Sequence, residues 1–208
     1  SDEYIRIDGM INFWLKESTR TKYNEMLPKS ITDALGTTSA FDVRFAVGYP
    51  RLATFSMDYD LLLTKGLPGL EQEIQEKLNA AVAGNEDEKV AVYQAMLISL
   101  DTVKDLCQIY IEKAQNSLKT ETNEKRMDEL ERICGSLTAA INHKPETLHQ
   151  AIQLFWIYMV TTRTRNFSRM DIYLGDFYAN DIDTGVETEE SAQEILNNLW
   201  LMISDLNY

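Results

Sequence analysis

Apolar positions recur every three or four residues along most of this chain, the period of amphipathic helices rather than of strands. Met10, Phe13 and Trp14 carry that period through residues 9–26, and Pro28 closes the region. Between residues 31 and 50 the pattern turns irregular, with Gly36-Thr37-Thr38-Ser39 as a loop signal. Gly66-Leu67-Pro68-Gly69 marks a second break, ahead of a helix over residues 70–83 that Gly84 and Asn85 cap. Residues 86–118 contain neither Gly nor Pro, and Val90, Tyr93, Leu97, Leu100, Val103, Cys107 and Tyr110 recur at helical spacing. This predicts a helix of about thirty residues, roughly 45–50 Å long at 1.5 Å per residue.

A second long helix is predicted over residues 124–141, with Met127, Leu130, Ile133, Cys134, Leu137 and Ala140 along one side. After Pro145, Thr147-Leu148-His149-Gln150 has the form of a capping box and starts an apolar helix that runs to about residue 161. Residues 166–178 combine aromatics with Gly175 and lack a helical period, which predicts strand plus turn. Asp181-Ile182-Asp183-Thr184-Gly185 reads as a surface turn. Thr188 caps a last helix that ends near residue 206, with Glu189 and Glu190 in its first turn. The fold class is mainly α, with long antiparallel helices and a few short strands.

Composition narrows the function classes. The 208 residues carry 33 acidic and 20 basic side chains, a formal net charge of −13. That surface opposes binding to nucleic acid through its phosphates and docking on anionic membranes. The most apolar stretch, residues 148–160, is too short to cross a bilayer. Two cysteines, Cys107 and Cys134, make no disulfide framework, and with no leader signature at the N-terminus the chain is expected to be cytoplasmic.

Side-chain chemistry, read from spacing alone, is sparse. Asp181, Asp183 and Glu187 imitate a calcium loop around Gly185, but the ligand register is wrong and no metal is expected. His143 and His149 straddle Pro145 without metal spacing and are read as surface or interhelical residues. Both cysteines fall on apolar helix stripes with no neighbouring cation to activate them, so each is read as a small hydrophobe. Tyr93, Met96, Met127, Phe155 and Trp156 are expected in the core.

Four ordered segments resemble landmarks of one family. Asp58-Tyr59-Asp60-Leu61-Leu62-Leu63-Thr64-Lys65-Gly66-Leu67 resembles D-Y-x-x-V/L-L-x-x-G-L/I, a signature of the glycyl radical enzymes of the pyruvate formate-lyase superfamily. Val92-Tyr93-Gln94-Ala95-Met96-Leu97-Ile98-Ser99-Leu100 resembles the family's F-Y-x-A-M-x-I-x-L helix. The run from Pro145 through Thr147, Gln150, Ala151, Gln153 and Trp156 resembles P-x-T-F-x-E-A-L-Q-x-x-W, and Ser168-Arg169-Met170-Asp171-Ile172-Tyr173-Leu174 resembles G-R-F/L-D-Q-Y-L. Residues 54–208 match well and residues 1–53 less clearly, which is the expectation for one N-terminal fragment spanning 1–208.

The resemblance implies a fragment of a ten-stranded α/β barrel that surrounds two finger loops. One loop carries a thiyl cysteine in a C-x-E context and the other a glycine in R-V-x-G-Y/F. A radical S-adenosylmethionine activase abstracts hydrogen from that glycine, and the radical passes through the cysteine to a small oxygenated substrate. Neither loop is found in this chain, and Arg44-Phe45-Ala46-Val47-Gly48-Tyr49 only imitates the glycine motif. The resemblance therefore implies no catalytic residue and no bound cofactor here, and no activity from this chain alone. The whole enzyme would be a lyase, dehydratase or formate acetyltransferase-like enzyme, homo-oligomeric, with the activase as its partner.

By the same resemblance, Thr54, Asn166, Phe167 and Ser168 face the substrate; Asp171 matches the dehydratase and decarboxylase branches, and the structural reading of the residues makes Arg169 and Asp171 a buried pair that supports the pocket. Thr54 stands where pyruvate formate-lyase has an arginine, so a carboxylate clamp for pyruvate is not expected. Ser168 stands where the family has glycine, which predicts a backbone that does not need positive φ. A non-catalytic helical module that binds a partner is the competing reading.

Overall fold

The computed structural model describes residues 2–35, 57–162, 164 and 166–205. The chain divides into two compact units, Ser1–Ala53 and Thr54–Tyr208. The first holds α1 (Asp2–Glu17), α2 (Thr19–Met26) and α3 (Lys29–Leu35). Ser18 interrupts the predicted helix because its side chain caps the next one, accepting from the Thr21 amide at 3.3 Å. Ile7, Met10, Ile11, Trp14 and Leu15 of α1 are exposed and line an open apolar groove. Helix α3 replaces the irregular pattern expected from residue 31, up to the Gly36 loop signal, which lies outside the described residues with the Gly48 segment and Thr54.

The second unit is an assembly of seven helices among the described residues: α4 (Tyr59–Ala83), α5 (Asp87–Leu118), α6 (Glu124–Asn142), α7 (Leu148–Thr162), α8 (Met170–Tyr173), α9 (Gly175–Thr184) and α10 (Glu189–Asp205). Residues 119–123 turn α5 back onto α6, with Asn123 capping α6 by accepting from the Arg126 amide at 3.2 Å. Cys134 of α6 lies against the Ile111 carbonyl of α5, so the two long helices pair antiparallel as expected. Helix α7 packs against α4, α5, α6, α9 and α10. Leu63, Leu67, Cys107, Leu137, Leu148, Leu154, Phe155 and Leu199 are at most 2% exposed and form the centre of this core. Each large side chain so buried contributes about 1.5–3 kcal/mol of transfer free energy.

Helix α4 starts earlier than the glycine signals indicate. It runs through Gly66 as a kink, where φ is +65°. A Cβ there would stand 2.7 Å from Lys144 Cα, so the backbone of residues 143–144 can approach only a glycine. This contact brings the first family landmark against the start of the third.

No strand is present among the described residues, and residues 166–178 are a correction. They form a short turn followed by α8 and α9. The helical period was there, in Tyr173, Leu174, Phe177 and Asp181, but its last inward position is an aspartate. Asp181 is fully buried rather than part of a surface turn, and its Oδ2 accepts from the Leu148 amide at 2.7 Å. A carboxylate from α9 thereby caps the N-terminus of α7, where it also meets the positive end of the helix dipole. Gly185, at φ +74°, closes α9 in the left-handed conformation.

One further expectation changes. Met96 is 45% exposed and Tyr93 is only half-buried, so the N-terminal half of α5 is not core. The Phe155 and Met159 face of α7 is covered, whereas Trp200 of α10 is 56% exposed.

Candidate functional site

The landmarks meet in an aromatic cluster. Asp58 caps α4, its Oδ1 accepting from the Leu61 amide at 2.9 Å, and so sets Tyr59 at the first helical position facing inward. The Tyr59 ring lies 4.8 Å from Phe155 and 5.3 Å from Tyr173, centroid to centroid. Phe155 and Tyr173 are 5.8 Å apart, and Phe167 meets Phe155 edge-on at 6.2 Å. These separations are the favourable tilted and T-shaped aromatic geometries. Three of the four family segments therefore converge on one point.

The predicted site turn hangs from this cluster. The Tyr173 hydroxyl donates to the Phe167 carbonyl at 2.7 Å. Asn166 is half-buried, and its Oδ1 accepts from the Ser168 amide at 3.2 Å. Ser168 adopts φ +54°, contrary to expectation. The backbone there keeps the left-handed form that glycine favours, and serine accepts the steric cost between Cβ and carbonyl.

Arg169 and Asp171 do pair, through two hydrogen bonds of 2.8 and 2.5 Å. The pair is exposed, however, not buried, because both residues precede or begin α8 on its outer side. Arg169 nevertheless holds the Asp171 carboxyl below its ordinary range. Thr54 lies outside the described residues, so its approach to Asn166 is not described.

The phenols here are held protonated rather than poised as bases. Burial raises the pKa of Tyr59, Tyr158 and Tyr173, and the neighbouring Tyr59 raises that of Tyr173 further. The Tyr59 hydroxyl is buried without a hydrogen-bond partner in range among the described residues, and the Thr164 side chain partly offsets the rise that burial causes.

A separate polar network braces the start of α7. Arg132 of α6 pairs with Glu187, whose other oxygen accepts from the Ser191 hydroxyl at 2.5 Å. His149 Nδ1 meets the Ser136 hydroxyl at 2.8 Å. Burial, aided by the Arg132 charge, pushes the His149 pKa down to about 4. Of the acidic residues that imitated a calcium loop, Asp181 thus caps a helix and Glu187 forms an ion pair, while Asp183 is exposed. His143 is exposed, and its Nδ1 meets the Lys144 carbonyl. The signal for this network was slight: a carboxylate in an apolar helical stripe.

The cysteines do not fit a radical carrier. Cys107 is fully buried, and burial pushes its thiol up to about 11. Cys134 is half-buried and engaged with the Ile111 carbonyl, and burial raises its pKa also.

With this geometry in place, the comparisons with known proteins are specific. The family model for pyruvate formate lyase-like proteins matches residues 1–208. The chain is 30% identical to trans-4-hydroxy-L-proline dehydratase of Clostridioides difficile, over 97% of this chain and 26% of that protein. It is 26% identical to isethionate sulfite-lyase of Oleidesulfovibrio alaskensis, over 97% of this chain and 26% of that protein. The crystal structure of the C. difficile hydroxyproline dehydratase with its substrate bound superposes with a TM-score of 0.70 at 26% identity, over 96% of this chain and 26% of that one. The chain belongs to the pyruvate formate lyase-like family, and it spans about a quarter of the length of the curated relatives it matches.

Proposed function

We propose that this chain is the N-terminal helical part of a glycyl radical lyase or dehydratase, a fragment of its ten-stranded α/β barrel. The complete enzyme would cleave a C–C or C–X bond of a small oxygenated metabolite in the cytoplasm, as a homo-oligomer served by a radical S-adenosylmethionine activase. Within it, Asn166, Phe167 and Ser168, with Thr54, form one wall of the substrate pocket, and Arg169 and Asp171 brace that wall from outside. This chain contributes binding surface only and is inactive alone.

The observation that carries this reading is the convergence of Tyr59, Phe155 and Tyr173 under the 166–168 turn. It gives a polar loop a rigid aromatic base, the arrangement a discriminating pocket needs. A pocket that hydrogen-bonds a substrate hydroxyl rejects analogues lacking it, because its own polar groups are left unpaired.

The test is to read the polypeptide downstream of Tyr208, express it complete with its activase under anaerobic conditions, and record its radical signal. Turnover of trans-4-hydroxy-L-proline and isethionate is then compared for the parent and Asn166→Ala. A C-x-E segment followed by R-V-x-G-Y, a radical signal and a KM raised about tenfold in the variant are expected. A stop codon at that point would instead favour the non-catalytic, partner-binding module.

A further inference from the structure

We propose that Tyr173 is a positioning residue that locks the peptide plane between Phe167 and Ser168 and so fixes the turn presented to substrate. The inference rests on the reading of residues 166–168 as pocket wall. That peptide plane is held at both edges: its carbonyl oxygen accepts from the Tyr173 hydroxyl at 2.7 Å, and its N–H donates to Asn166 Oδ1 at 3.2 Å. Of the two anchors, the tyrosine is the shorter bond and the more rigid donor. Tyr173 is 6% exposed and its ring packs against both Tyr59 and Phe155, whereas the Asn166 anchor is local and solvent-accessible.

The lock has something to oppose. Ser168 sits at φ +54°, which a residue with a Cβ leaves readily unless the surrounding structure holds it. Rotating the 167–168 plane is the simplest way out, and that rotation breaks the Tyr173 bond. Burial also keeps the phenol protonated, so the donor persists across the physiological pH range. Tyr173 thereby connects two family segments: its ring completes the cluster under Tyr59, and its hydroxyl reaches the turn.

The test is Tyr173→Phe in the full 208-residue chain, read by amide hydrogen exchange and the Ser168 amide-to-Hα coupling. A ring that serves only packing is preserved by phenylalanine. The expected result is at least tenfold faster exchange at Ser168, with the α4 and α7 core amides unchanged. Adding Ser168→Gly is expected to restore a single turn conformation, since glycine holds positive φ without strain. Unchanged Ser168 exchange, or acceleration shared equally by the α7 core, would overturn the proposal.

Should Tyr173→Phe fail to fold, Asn166→Ala serves in its place. With the tyrosine intact, the left-handed coupling at Ser168 is expected to survive, and its loss would overturn the lock. In the complete active enzyme, Tyr173→Phe is expected to raise KM about tenfold with a smaller change in kcat. A released turn with unchanged KM would uphold the lock and refute the pocket reading beneath it.

Discussion

Helices α5 and α7 both carry long apolar periods, yet they meet opposite fates. On α7, Leu148, Ala151, Leu154 and Phe155 are fully buried, whereas on α5 the period positions Val90, Tyr93 and Leu97 are only half-buried and Val92, Met96 and Ile98 beside them are 51%, 45% and 66% exposed. The difference lies in the neighbours. Helix α7 is enclosed by five others and capped by a carboxylate from α9, while α5 acquires a buried side only from Leu100 onward. Periodicity along a helix states which face requires cover, and tertiary structure decides whether cover arrives.

The largest expected effect is on the enclosed helix. Phe155→Ala should cost about 3–5 kcal/mol, the range for emptying a packed aromatic site. Phe155 contacts three aromatic rings, so collapse of the neighbours cannot refill the space without disturbing Tyr59 and Tyr173. The urea midpoint of the chain measures this, and a loss below about 1 kcal/mol would erase the contrast with α5.

A smaller effect comes from pH at the start of α7. The folded His149 pKa is about 4, against an ordinary value near 6.5. Between those values the unfolded chain binds a proton that the folded chain refuses, so folding loses stability as pH falls. The His149 contribution is fully present above pH 6.5, declines through pH 5 and is exhausted near pH 4. Its full span is roughly 3 kcal/mol. Unfolding curves at pH 7 and pH 5 should show the slope, and His149→Gln should flatten it. An equal slope in that variant would place the titration elsewhere.

These two regions also show what could be read from the sequence. The long helices, the Thr188 cap and the structural cysteines were legible because each rests on local spacing or side-chain type. The family landmarks were legible as strings, and the structure supplies their reason: Gly66 admits the Lys144 backbone, and Tyr59 meets Tyr173. Helices α8 and α9 were not legible, because Gly175 resembles a break and the inward Asp181 interrupts the apolar stripe. Its partner, the Leu148 amide, lies far away in sequence, and no local rule pairs a carboxylate with a distant helix end. The exposed Arg169–Asp171 pair and the left-handed Ser168 were misread for a similar reason. Both expectations rested on residue type, a charged pair read as buried and a serine as dispensing with positive φ, at a turn whose local hydrogen bonds decide the matter.

The smallest expected effect tests the open side of the comparison. Ile98 is 66% exposed, so Ile98→Ser removes little buried area in an isolated chain and should change stability by less than about 0.5 kcal/mol. Denaturant midpoints taken at several protein concentrations measure two things at once. If the α5 face is bare in solution, both the parent and the variant hold a constant midpoint as concentration rises. If a second copy covers it, the parent midpoint climbs with concentration by mass action, and Ile98→Ser abolishes the climb. In a complete polypeptide the same substitution discriminates again. A cost there of 1 kcal/mol or more, against less than 0.5 in the 208-residue chain, would show that chain beyond these residues supplies the cover that α7 already has.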